Sequence, residues 1–394
     1  MKINKVTLAV GVMVTALSTA TFAEIKIGHI YPSSGALGAY GKQSHDGLML
    51  GLEYATNGTM MVNGEKIVVI EKDSQANPEV GRSMLEEAYA DDEVDLAIGP
   101  VSSGVAMAML PVAEEYEKIL FVEPAVADSI TGANSNKYIF HSARNSTQDA
   151  IASAKAVGKP GVSIAVLAQD YAFGRDGATA FINALKGTGA TVVHEEYVPT
   201  TTTDFTASGQ RLFDALKDKP GKKLIYTIWA GGNPLAKLQA MNPERYDIEF
   251  ALAGNILAAL PAYKQFPGAE GATYYYYENP KNAINDWLVK EHYKRFDSPP
   301  DMFTAGGMSV GIAVVEAIKK AGGTDTDDLI NVLEGMSWDT PKGIMTFRAE
   351  DHQALQSMYH FKVVVDDAYE WARLELVREI PASEMDVPIG DMKK

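Results

Sequence analysis

The chain has 394 residues, 22% of them charged, no cysteine and a formal net charge of −16. The missing cysteines exclude disulfides and thiolate chemistry, and the acidic balance argues against nucleic acid or an anionic lipid surface as a partner. This length exceeds what one hydrophobic core usually serves, which points to two lobes.

At the start, Lys2 and Lys5 precede an uncharged run, Val6 to Thr19, that closes in small residues around Thr21 and Ala23. Cationic, apolar and small segments in that order read as a secretory signal peptide over residues 1–23, with the mature chain beginning at Glu24. No cysteine stands at the cut to carry acyl chains, so the mature protein is expected to be free and periplasmic rather than lipid-anchored. No later stretch reads as the roughly 20 apolar residues of a membrane span.

From Glu24 onward, short β-branched runs alternate with longer amphipathic segments. Strands are predicted at Ile25 to Ile30, Lys66 to Lys72, Asp95 to Ile98 and Ile119 to Val122. Between them, apolar residues spaced three and four apart predict helices at Tyr40 to Tyr54, Pro78 to Ala90 and Gly104 to Tyr116. The rhythm restarts with strands at Ser163 to Leu167, Thr191 to Val198, Lys223 to Ile228 and Glu249 to Leu252. The run Thr273 to Tyr277 reads as a strand on β-propensity. Helices at Asn282 to Phe296 and Phe303 to Ala321 and a last strand at Tyr359 to Val365 complete the pattern. Alternation of this kind predicts an α/β fold with two doubly wound parallel-sheet lobes. Chain crossings are placed near Arg144, Tyr277 and Phe347, giving one lobe of residues 24–143 plus 278–347 and another of 144–277 plus 348–394.

Open α/β sheets bind ligands beyond the carboxyl ends of their strands. After the first strand, Gly35, Gly38 and Gly41 are spaced G-x-x-G-x-x-G, which is not the G-x-G-x-x-G of a dinucleotide loop. After the third strand comes Gly99-Pro100-Val101-Ser102-Ser103-Gly104, where Ser102 or Ser103 suits a helix N-cap. A helix N-terminus with a serine hydroxyl also suits a carboxylate, so a cap alone and a cap with ligand both stand. The segments from Glu123 to Asp128 and from Gln169 to Asp176 offer further polar groups. Four aromatics, Tyr40, Tyr171, Phe173 and Trp229, fall at strand ends, where rings hold an apolar or planar ligand. Catalytic signatures are missing from the sequence: it has no G-x-S-x-G, H-E-x-x-H or P-loop, and its seven histidines have no metal-like spacing. No cofactor and no metal site are expected.

These residues resemble the type I periplasmic binding proteins, in the branch of the leucine/isoleucine/valine-binding proteins, across nearly all of the mature chain. The resemblance rests on Ile25-Lys26-Ile27-Gly28, the glycine turn into Tyr40-Gly41, Ile98-Gly99-Pro100, Phe121-Val122-Glu123-Pro124-Ala125 and Tyr171-Ala172-Phe173-Gly174. Pro341-Lys342-Gly343, Phe347 and Asp351-His352-Gln353-Ala354 extend it. It implies two lobes joined by three crossings, a small-molecule ligand between them, and delivery to an ABC permease in the inner membrane by a monomer. Carried over by position, Ser103 takes the ligand carboxylate, Ala125 offers a backbone contact, Tyr40 and Phe173 form side walls and Trp229 comes from the far lobe. Two positions depart from the amino-acid binders of the branch: Asn255 stands where an acid pairs with the ligand ammonium, and Ala127 where a hydroxyl is usual. An unpaired buried ammonium is costly. The ligand is therefore expected to be an aromatic or aliphatic carboxylic acid without an α-amino group, unless Asp128 or Asp170 points into the cleft. A sensory role, presenting ligand to a membrane receptor, uses the same fold. An enzyme is the third reading.

Overall fold

The structure, a computed structural model, describes residues 24–232 and 234–392, so the signal segment read from the sequence lies outside the described residues. In chain order the elements are β1 (Glu24–Tyr31), α1 (Gly38–Ala55), β2 (Met61–Val62), β3 (Glu65–Asp73), α2 (Pro78–Ala90), β4 (Leu96–Ile98), α3 (Ser103–Tyr116), β5 (Leu120–Val122) and β6 (Ile139–His141). They continue with α4 (Ser146–Val157), β7 (Ser163–Gln169), α5 (Ala172–Ala184), β8 (Thr191–Val198), α6 (Thr206–Leu216), β9 (Lys223–Ile228), α7 (Leu235–Gln239), β10 (Ile248–Ala253) and β11 (Glu270–Thr273). The last are α8 (Ala283–Phe296), α9 (Met302–Ala321), α10 (Thr326–Leu333), β12 (Ser337–Thr340), β13 (Gly343–Phe347), β14 (Ala354–Leu355), β15 (Met358–Val364) and β16 (Arg373–Ile380).

Two sheets organise the molecule. The first runs β2-β3-β1-β4-β5-β6 and the second β16-β15-β11-β10-β9-β7-β8. Each is parallel at its centre and antiparallel at one edge, where β2 pairs with β3, and where β15 pairs with β11 and β16 with β15. Central strands such as β4, β5 and β9 are buried along their whole length, as expected when helices cover both faces of a parallel sheet. A small antiparallel sheet, β12-β13-β14, precedes the chain's last entry into the second sheet.

Glycine sets the closest helix contact. A Cβ on Gly47 or Gly51 of α1 would stand 2.1 or 2.4 Å from the carbonyl oxygen of Thr304 or Met308 of α9, and one on Gly307 would stand 2.2 Å from that of Ser44. No other residue lets these two backbones touch. Helix α9 corrects the expectation that no later segment is long and apolar enough to span a membrane: Met302–Ala321 meets that test, and it is 89% buried as a core helix against α1.

The chain passes between the sheets after β6, after β11 and after β14, and two of these passages run side by side. The His141 N–H donates to the His352 carbonyl at 3.0 Å, and the Gln353 amide donates to the Ala143 carbonyl at 2.8 Å. Asp301, the N-cap of α9, ties the layers further. Its carboxylate accepts from Met302 N at 2.8 Å, from Gln43 of α1 at 3.0 Å and from Leu257 N, beyond β10, at 2.7 Å.

The tyrosine run corrects a second expectation. The strand ends at Thr273, and Tyr274, Tyr275 and Tyr276, which follow it, are each at most 3% exposed. Pairing with β15 stops at Thr273, so the tyrosines lie beyond the end of the strand. The strand at Met358–Val364 is also not the last, since Arg373–Ile380 pairs with it as a hairpin.

Candidate functional site

Between the carboxyl ends of the two sheets lies a cavity of about 120 Å³, several times the roughly 10–15 Å³ that one water needs on the same measure. The segments after β1, β4 and β5 supply one wall, those after β7, β9, β10 and β11 the other, and the segment after β6 crosses between them. Of the positions singled out in the sequence, Tyr40, Ser103, Tyr171, Phe173, Trp229 and Asn255 line it. Phe303, at the start of α9, stacks on Tyr40 with ring centroids 4.6 Å apart. Trp229 stands edge-on to Phe205 at 5.1 Å, which fixes the indole against the second sheet.

Ser102, Ala125 and Ala127 stand behind the wall. Ser102 holds the N-cap position of α3 but makes no side-chain cap. The Ala125 backbone is already taken: its N–H donates to Pro100 O at 3.1 Å, and its carbonyl accepts from His141 Nε2 at 2.7 Å. Burial lowers the His141 pKa to about 4, so the ring is neutral and its Nε2 carries the proton. Ala127 is fully buried, and its N–H donates to Ser103 Oγ at 3.2 Å, alongside that of Val126 at 3.3 Å. With two amides donating to its oxygen, the Ser103 hydroxyl has its proton left to give, and the cavity is where a ligand acceptor would meet it.

Asp128 and Asp170 do not line the cavity. Asp128 caps α4, accepting from Thr147 N at 2.9 Å and from Thr147 Oγ1 at 2.8 Å. Burial pushes its pKa up to about 6, helped by Asp176 and Asp149. Asp170 is an exposed partner of Arg175 at 2.7 Å.

Two charged lining residues were not among the sequence candidates. Arg144, two residues before α4, and Asp149, in its first turn, are the charged groups of the cavity wall among the described residues. Arg144 Nε donates to Asp149 Oδ1 at 3.2 Å. Burial opposes the Arg144 charge, but Asp149, Tyr274 and Glu123 outweigh it, so the guanidinium remains a cation. It lies 4.2 Å from the centroid of the Tyr274 ring, and Lys342 Nζ lies 4.8 Å from the same centroid. The Tyr274 hydroxyl is buried without a hydrogen-bond partner among the described residues. Behind it, burial raises the Glu123 pKa and lowers that of Lys342 to about 8, with each one's charge favouring the other's. The sequence did carry a signal for this corner. Asn145 and Gln148 form the capping box that starts α4, which places Arg144 just before a helix start.

Known proteins share the whole of this architecture. Residues 24–368 match the family model of the periplasmic binding protein. The Leu/Ile/Val-binding protein homolog 6 of Brucella melitensis is 24% identical, covering 91% of this chain and 92% of its own. An ABC-type branched-chain amino acid transporter protein of Rhodopseudomonas palustris, solved by crystallography, is 65% identical, with a TM-score of 0.84 over 94% of this chain and 100% of that one. A solute-binding protein of an ABC transporter from Rhodopseudomonas palustris BisB5, in complex with 3,4-dihydroxybenzoic acid, is 27% identical, with a TM-score of 0.78 over 91% of this chain and 98% of its own. With a two-sheet α/β frame, a ligand-sized cavity between the sheets and a family match over 24–368, the chain belongs to the periplasmic binding proteins of ABC transporters, in the group of the leucine/isoleucine/valine-binding proteins.

Proposed function

We propose that this protein is the free periplasmic receptor of an ABC importer, exported by a cleaved signal peptide, and that it captures a small aromatic or aliphatic carboxylic acid lacking an α-amino group. One observation carries the reading. The cavity is walled by aromatic rings and offers unspent donors, the Ser103 hydroxyl and the outer nitrogens of Arg144, while Asp149, the one carboxylate of the wall among the described residues, is already paired with that arginine. A carboxylate finds donors there, and an ammonium finds only a carboxylate whose charge is in use. The relative bound to 3,4-dihydroxybenzoic acid supports an aromatic acid. The relatives named for branched-chain amino acids support a ligand of similar size.

In this reading the lobes divide at the three passages, the ligand is bound between them, and a monomer presents the closed form to its permease without chemical turnover. The test pairs leucine with 4-methylpentanoate, which is leucine without its amine, in calorimetry and thermal denaturation. The acid should bind more tightly and, at 100 times its dissociation constant, stabilise the fold by about 2.7 kcal/mol. Micromolar binding of leucine with weaker binding of 4-methylpentanoate would sink the proposal.

A further inference from the structure

Besides the Ser103 hydroxyl, two polar groups of the cavity with unspent hydrogen-bonding capacity meet where the segments after β6 and β11 approach each other. Arg144 uses Nε on Asp149, and among the described residues no protein acceptor lies within hydrogen-bonding distance of its Nη atoms. The Tyr274 side chain, 2% exposed, lines the cavity, and its hydroxyl is buried without a partner among the described residues. The two are held together, with the guanidinium over the ring at 4.2 Å. A buried donor without a partner is destabilising by its full desolvation penalty. Here the phenol is such a group, the guanidinium edge beside it also lacks a protein acceptor among the described residues, and both side chains border the cavity between the sheets.

Three other lining hydroxyls are more nearly satisfied. Ser146 Oγ donates to Val126 O at 3.0 Å, Tyr226 donates to Ser153 at 3.1 Å and Tyr40 Oη accepts from Gly231 N at 3.1 Å. The surrounding charges are arranged in pairs. Asp149 holds Arg144, and the buried Glu123 faces Lys342, whose ammonium is bound by Gln356 at 2.5 Å. The wall is therefore neutral as a whole yet presents a cationic edge.

Resting on the carboxylic-acid reading above, we infer that Arg144 and Tyr274 determine specificity for the ligand's anionic group, the arginine donating through Nη and the phenol through Oη to the carboxylate. Asp149 is a positioning residue. By occupying Nε it turns the remaining edge of the guanidinium toward the cavity. This places the discrimination between an acid and its neutral amide on the passage segment and not on the helix-start serine alone. A planar bidentate donor also sets apart arginine from lysine at this position.

The experiment measures dissociation constants for two acid and amide pairs, benzoate with benzamide and 4-methylpentanoate with 4-methylpentanamide, by calorimetry on the mature protein. In wild type the acid of at least one pair should bind about 100-fold more tightly than its amide. Arg144→Gln should weaken the acid about 30-fold and leave the amide within about 3-fold, so the ratio collapses. Arg144→Lys should restore part of the ratio, and Tyr274→Phe should lower it about 5-fold. A merely structural arginine would weaken acid and amide alike. If Arg144→Gln does not fold because Asp149 loses its partner, the double variant Arg144→Gln/Asp149→Asn removes both charges, and its acid-to-amide ratio decides. A ratio that survives in a folded variant overturns the assignment and leaves the ligand reading intact. A wild type that binds neither acid overturns both.

Discussion

The phenol of Tyr40, in the first turn of α1, accepts the backbone N–H of Gly231, in the loop after β9, at 3.1 Å. The bond joins the two walls of the cavity directly and does not depend on any ligand. Tyr40→Phe removes the hydroxyl and keeps the ring on Phe303. It should weaken ligand binding by about 1 kcal/mol, or about 5-fold, through a faster dissociation rate seen in stopped-flow measurements. An unchanged dissociation rate would show that this contact has no part in retaining the ligand.

Ser103 serves the fold as well as the site. Because its Oγ accepts from both Val126 N and Ala127 N, Ser103→Ala strands two buried amides, and unfolding stability should fall by about 1–3 kcal/mol. Affinity for the acid should fall by about 1.5–3 kcal/mol if the hydroxyl also donates to a carboxylate. Loss of stability with unaltered affinity, read by denaturation and calorimetry on the same preparation, would confine the serine to a structural role.

Asp128 gives a pH dependence with a definite sign. Burial raises its pKa from 3.8 to about 6, so between those values the folded chain holds a proton that the unfolded chain releases. The stability from this group is complete below 3.8 and is lost as pH rises through about 6. Asp128→Asn keeps a carbonyl for Thr147 but cannot titrate. Between pH 4.5 and pH 7.5 the stability difference should therefore swing by about 2 kcal/mol in the variant's favour. Parallel stability curves for the two proteins across that range would refute the assignment.

The glycine contact predicts a sharp asymmetry between two alanine substitutions on or just beyond α9. At Gly307 a Cβ would meet backbone of α1 at 2.2 Å, whereas at Gly323 nothing lies within 4 Å. Gly307→Ala should destabilise by about 1–3 kcal/mol through overpacking, and Gly323→Ala should be nearly neutral. Equal midpoints in urea would contradict the packing described.

What the sequence disclosed and what it hid divide along a physical line. Strands such as Thr191–Val198 and Lys223–Ile228 and the helix Pro78–Ala90 were legible to the residue, because local periodicity and capping decide them. Ile139–His141 was missed, since three residues carry too little pattern. The tyrosine run misled because β-propensity does not show where a strand stops: pairing ends at Thr273, and the tyrosines follow it. At the site, aromatics at strand ends were readable from spacing. Arg144 was not, since its role depends on Asp149 and on Tyr274, 130 positions away in the chain. Ala125 and Ala127 were placed by position along the chain, which does not disclose that their backbone groups already pair with Pro100, His141 and Ser103.

Tyr40 and Phe303 each stand within the first turn of a helix, and those two helices are keyed to one another by Gly47, Gly51 and Gly307. The spacing of the two rings is thus inherited from a seam that no solute touches. A lineage exploring new solutes need not alter the rings themselves. A single enlarged residue along that seam would slide one ring past the other and redraw the cavity wall, so the record of adaptation in this protein should be sought between α1 and α9 as much as around the cavity.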